Sequence, residues 1–126
     1  MRTSKLSGAW GEALAAEYLR KKHYKILAAG YRCRFGEIDL IAANRTYIAF
    51  VEVKTRGGDA LYTAAEAVTA AKQNKIYLTA LHYMEEYNAD LQPRFDVCEV
   101  YVTQVKKKRS AQIIYMEDAF QVPSYN

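Results

Sequence analysis

Two adjoining apolar segments carry charges that an ordinary core strand would exclude, and this feature constrains the chain more than any other. The stretch RFGEIDLIAANRTYIAFVEVKTR, residues 34–56, reads as two strands joined by a short turn. Asp39, Glu52 and Lys54 lie inside it, where taking a charge out of water is costly unless it is paired. Strand side chains alternate between faces. Ile48, Phe50, Glu52 and Lys54 therefore share one face, and Tyr47, Ala49, Val51 and Val53 the other. Both faces are mostly apolar, the pattern of a strand covered on both sides.

Whether Asp39 joins Glu52 depends on the turn. An even loop, either Asn44-Arg45 or the four residues from Ala43 to Thr46, pairs Asp39 with Phe50 and sets it diagonal to Glu52. A three-residue loop would send Asp39 to the opposite face. Asn44 suits a turn, but Arg45 is not the glycine a tight two-residue turn prefers, so the four-residue loop is expected.

Two close carboxylates repel unless something positive lies between them. Lys54 offsets one charge; a divalent cation bound by Asp39 and Glu52 would offset both. Carboxylate oxygens with water suit Mg2+, or Mn2+ in its place, with positions left for phosphate oxygens. Such an ion polarises a phosphodiester and lowers the pKa of a water nucleophile. Lys54 could orient that water or meet charge developing on the phosphate. The same three residues also fit a structural ion-pair cluster. Glu12, on one helical face with Ala15, Ala16 and Leu19, is either a first-turn residue serving the helix dipole or a further ligand or water-positioning group.

The remaining pattern predicts a helix from about Ser7, its cap, to Lys22. A strand interrupted or bulged near Gly30 follows, then the two strands above. A second helix begins near Thr63, with Glu66 completing a capping box, or near Thr69, and runs to about Tyr87. RFDVCEVYVT and AQIIYME are the last strands, joined by a KKKRS hairpin loop. The order implies an α/β fold, a mixed sheet flanked by helices. At 126 residues, residues 1–126 read as one domain able to bury a core without staples. A net charge of +4 tilts toward polyanionic partners. The KKKRS run could track a nucleic-acid backbone or serve as a solvated turn that protects a sheet edge. Cys33 and Cys98 match no C-x-x-C spacing and read as reduced thiols. No run has signal-peptide or bilayer-spanning character, so a cytoplasmic location with no membrane partner is expected. No phosphate-cradling glycine loop, Ser-His or Cys-His arrangement is present, and His23 and His82 lack zinc spacing. Asp96 reads as structural, paired with Arg94 or opening its strand.

GEIDLIA followed by FVEVKTR resembles the PD-(D/E)XK nuclease superfamily. With GAWGEALAAEYL, YRCRFGEIDLIA, EAVTAAKQNKI and RFDVCEV it is similar to the YraN family of bacterial proteins, grouped with Holliday-junction-resolvase-like endonucleases. The resemblance implies a restriction-endonuclease-like αβββαβ core. It implies Asp39 and Glu52 as metal ligands, Lys54 as catalytic lysine and Glu12 as the helix glutamate of the site. QNKIY is similar to the Q-x-x-x-Y motif of some relatives, which draws in Gln73 and Tyr77; a solvated Gln beside a packed Tyr fits the same spacing. Lys72, Arg32, Arg34 and Arg56 are candidate phosphate contacts. The expected activity is Mg2+-dependent hydrolysis of DNA, including branched or structured DNA, and symmetric junction cutting would call for a homodimer. The alternatives are a non-catalytic nucleic-acid-binding module with the nuclease fold, and an interaction protein whose carboxylate cluster is structural.

Overall fold

The computed structural model describes residues 2–57, 68–87 and 89–121, with side chains from Gly8 onward. The elements are α1 (Arg2–Lys21), β1 (Lys25–Cys33), β2 (Gly36–Ala43), β3 (Tyr47–Arg56), α2 (Ala70–Tyr87), β4 (Gln92–Val105) and β5 (Lys108–Met116). The strands form one sheet in the order β1-β2-β3-β4-β5. β3 and β4 are parallel and every other neighbouring pair is antiparallel. The parallel pair requires a crossover, and α2 lies on that connection. The result is the mixed, helix-flanked α/β sheet that the pattern of elements predicts, consistent with a restriction-endonuclease-like core. No helix among the described residues is long and apolar enough to cross a membrane.

Each helix buries one sheet face. α1 sets Ala15, Ala16 and Leu19 against Leu40, Ala42, Ala49, Val51, Cys98 and Val100. α2 sets Ile76, Ala80 and Tyr83 against Ile38, Ile41, Ile48, Phe50, Phe95 and Val97. Phe50 and Phe95 stack with ring centroids 5.7 Å apart. β3 is thus walled on both sides, as its doubly apolar pattern requires.

Several local features depart from the sequence reading. α1 begins well before Ser7, which lies inside the helix and does not cap it. β1 passes Gly30 without a register shift, although Gly30 takes φ 69°; the irregularity lies between Ile26 and Ala28. Thr69 caps α2, its Oγ1 accepting from the Lys72 N–H at 3.2 Å, while Thr63 and Glu66 lie outside the described residues. The KKKRS loop is shorter than expected, because pairing continues to Val105–Lys108 and leaves only Lys106-Lys107 as the turn. The β2–β3 loop is even, but its register is displaced. Asn44 Oδ1 accepts from the N–H groups of Thr46 and Tyr47 at 2.9 and 2.7 Å, closing the turn over Arg45-Thr46. Ala43 then pairs with Ile48 and Leu40 with Val51.

Candidate functional site

The register correction sharpens the site. The β2–β3 ladder runs from Ala43–Ile48 to Leu40–Val51 and ends there, so Asp39 lies just past the last pair on β2, as Glu52 does on β3. Alternation along β2 slips here. Ile38 and Ile41 both pack toward α2, whereas Leu40 and Ala42 pack toward α1. Asp39 is left at the seam between strands, and its Oδ2 accepts from the Val53 N–H at 2.8 Å. The side chain supplies the hydrogen bond that a regular ladder would have taken from backbone.

Glu52 is buried to 8% exposure on the α2 side. Lys72, in the first turn of α2, reaches it with Nζ 2.6 Å from Oε2. Asp39, Glu52, Lys72, Glu37, Lys75 and Ile76 help line a cavity of about 170 Å³ beneath α2. Burial pushes the Asp39 carboxyl up to about 7 against the opposing Val53 hydrogen bond; the charges of Glu52 and Glu12 raise it further, and Lys72 lowers it. Glu12 is likewise raised, by burial first and then by Glu37 and Glu52. Lys72 is raised by its bond to Glu52. Four acids from α1, β2 and β3 therefore share one field, with an ammonium laid against one of them.

Gly11 brings Glu12 to this place. A Cβ on Gly11 would collide with Thr55 Oγ1, with Thr55 Cβ only 3.3 Å away. Only a bare backbone lets α1 approach the end of β3 this closely.

The other sequence candidates divide. Lys54 is half-buried and continues the face of Glu52 by strand alternation, but it is outside the lining of the cavity. Arg32 is exposed and lies 3.5 Å from Glu37. Arg34 stacks on Phe35 at 4.8 Å and lines a different groove, with His82. Arg56 keeps its side chain mostly out of solvent, 3.8 Å from Glu99. Gln73 is not simply solvated: its Nε2 donates to the Val68 carbonyl at 2.9 Å, tying down the start of α2. Tyr77 packs into the α2 core near Phe95. Glu37 and Lys75 were not singled out from the sequence. Alternation on β2 and the spacing Lys72-x-x-Lys75, one turn apart on α2, were the signals that could have found them.

Mg2+ usually takes one or two carboxylates from protein, the rest of its shell coming from water and phosphate. By donor chemistry the pair Asp39 and Glu52 fits such an ion. Among the described residues no group of three or more Asp, Glu, His or Cys side chains converges to hold one.

Distant residues form a second polar cluster. Arg94 Nε donates to Asp96 Oδ1 at 2.9 Å and Nη2 to Oδ2 at 2.8 Å. Tyr115 OH and the Asp118 N–H also donate to Asp96, at 2.6 and 2.9 Å, and Arg94 Nη2 donates to Tyr24 OH at 2.7 Å. Asp96 is fully buried and its acceptor capacity is spent on this network, which makes it structural, as the sequence reading expects.

Residues 11–100 match the family model described as "Uncharacterised protein family UPF0102". The chain is 41% identical over 117 residues to a UPF0102 protein of Clostridium botulinum (strain Loch Maree), covering 91% of this chain and 94% of the relative. It is 48% identical over 103 residues to one from Caldanaerobacter subterraneus subsp. tengcongensis, covering 81% and 84%. A third, from Clostridium acetobutylicum, is 41% identical over 122 residues, covering 96% and 98%. The matched span contains Glu12, Asp39, Glu52, Lys54 and Lys72. The chain belongs to the UPF0102 family, to which the YraN resemblance corresponds.

Proposed function

We propose that this protein is a metal-dependent endonuclease that hydrolyses phosphodiester bonds in DNA. The observation that carries the reading is the pair of carboxylates that line one cavity just past the end of the β2–β3 ladder, with a lysine two residues beyond Glu52. Element order supports it: a helix, three antiparallel strands, a crossover helix and a parallel strand fit the nuclease-like core that the motifs resemble. Asp39 and Glu52 would hold Mg2+ or Mn2+. When bound, the ion supplies Lewis-acid polarisation of the scissile phosphate. Lys54 meets negative charge that develops on that phosphate. Glu12, its carboxyl raised by burial and then by the charges of Glu37 and Glu52, would accept the proton of an attacking water.

The test is cleavage of labelled single-stranded, duplex and four-way DNA with Mg2+ or Mn2+. The parent cuts at least one substrate, and Lys54→Ala abolishes cutting while binding persists. Parent protein that binds DNA yet cuts none of these with either ion would end the enzymatic reading. A non-catalytic nucleic-acid-binding module is then the second reading. One observation favours it: the Lys72 ammonium already occupies the counter-charge position on Glu52.

A further inference from the structure

The β4–β5 hairpin outgrows the sheet that carries it. β3 ends at Arg56, paired with Tyr101, while β4 and β5 stay paired from Val102–Ala111 to Val105–Lys108. Four residues per strand, about 13 Å, therefore continue as a two-stranded ribbon past the last β3–β4 pair among the described residues, with Val102 at its base still packed on the core. The ribbon leaves from the end of β3 that carries Glu52 and Lys54. Lys106, Lys107, Lys108 and Arg109 occupy its tip, all exposed, and residues 102–112 contain no Asp or Glu. Lys106 adopts φ 59°, a conformation that two-residue turns usually give to Gly, Asn or Asp. The turn thus carries adjacent lysines in place of residues that would close it with less strain. Directly paired residues share a face. Arg109, opposite Gln104, lies toward α1, with its guanidinium 4.2 Å from the Trp10 ring. Lys108, opposite Val105, lies on the face that carries Glu52 and Lys54.

We propose that this ribbon is an arm that grips the phosphate backbone of duplex DNA beside the carboxylate site. The proposal rests on the nucleic-acid reading above and adds the place where the strand is held. A polyanion wrapped round the tip of the ribbon meets cations on both faces, and residues 102–112 bring no carboxylate of their own. The arm carries no base-reading role, so its contribution is independent of sequence and sensitive to salt.

The experiment follows fluorescence anisotropy of a labelled duplex across a salt series, with Ca2+ replacing Mg2+. The parent is compared with Lys106→Ser/Lys107→Ser/Lys108→Ser and with Lys54→Ala. The triple variant should bind at least about tenfold more weakly at equal salt. Its slope of log K against log salt should be shallower by about 0.9 for each phosphate no longer neutralised. Lys54→Ala, which keeps the arm, should lower the slope by no more than about 0.9, the share of a single phosphate. Emission from Trp10, the sole tryptophan, should shift when duplex draws Arg109 from its ring, and the unfolding midpoints should match. If the triple variant fails to fold, Lys107→Glu is read in the same way. Parent binding that the variant reproduces in affinity and slope overturns the arm and leaves the nuclease reading standing. So does a variant that binds normally but self-associates, because the lysines then only shield an edge. A parent that binds no nucleic acid overturns both.

Discussion

Replacing Asp39 by Asn should stabilise the metal-free protein at alkaline pH, and by an amount that follows from where Asp39 sits. Its carboxyl is raised from 3.8 to about 7, chiefly by burial. The folded chain therefore holds a proton that the unfolded chain has released, and stability falls as pH rises through this window. At 1.36 kcal/mol per unit the full shift amounts to about 4 kcal/mol, of which about 2.6 falls between pH 5 and pH 8. Asp39 is only partly buried, so solvent screening brings the realised figure nearer 1–2 kcal/mol. Asn cannot ionise, and its carbonyl can still accept from the Val53 N–H. Urea unfolding of parent and Asp39→Asn at both pH values, without metal, isolates the effect as a double difference. The variant should gain about 1–2 kcal/mol on the parent in going from pH 5 to pH 8. Adding Mg2+ at pH 8 should then restore the parent by about 1.4 kcal/mol at ten times its dissociation constant and leave the variant unmoved. Parallel stability curves across pH would refute the desolvation argument. An equal response to Mg2+ in both proteins would refute Asp39 as a ligand.

Three further outcomes follow from the geometry. Gly11→Ala forces a methyl group against Thr55 Oγ1 and should cost about 1–3 kcal/mol by chemical denaturation, partly recovered by Thr55→Ala. Asp96→Leu alone strands a buried guanidinium and should cost about 3–5 kcal/mol, whereas the paired change Arg94→Met/Asp96→Leu should cost much less; thermal melts of the two variants compare them directly. Lys72→Ala removes the ammonium from Glu52 and should tighten Mn2+ binding several-fold in calorimetric titration of DNA-free protein.

The charged strands were the most legible part of the chain, because alternation and loop parity suffice to place Glu52 and Asp39 together. The two-residue displacement of register was not legible. It is set by the Asn44 carbonyl drawing Thr46 and Tyr47 into the turn, and either even loop satisfies the same apolar pattern. Lys72 could be noticed as a cation in a helix, but its seat on Glu52 depends on how α2 lies across the sheet. Asp96 could be read as structural from its neighbour Arg94; Tyr24 and Tyr115, which complete its shell, are far away in sequence. Gly11 gave no warning at all. In GAWGEALAAEYL nothing separates a glycine needed for close approach from its neighbour Gly8, whose Cβ would meet nothing within 4 Å.

The hydrogen bond from Val53 to Asp39 gives the pocket a mechanical link to the scaffold. A guest that displaced Asp39 Oδ2 would also release the Val53 amide it holds. Val53 belongs to the strand that docks in parallel against β4, so this carboxylate is tied to the centre of the sheet. Hydrogen exchange at this single amide would serve as a gauge of whether the pocket is filled.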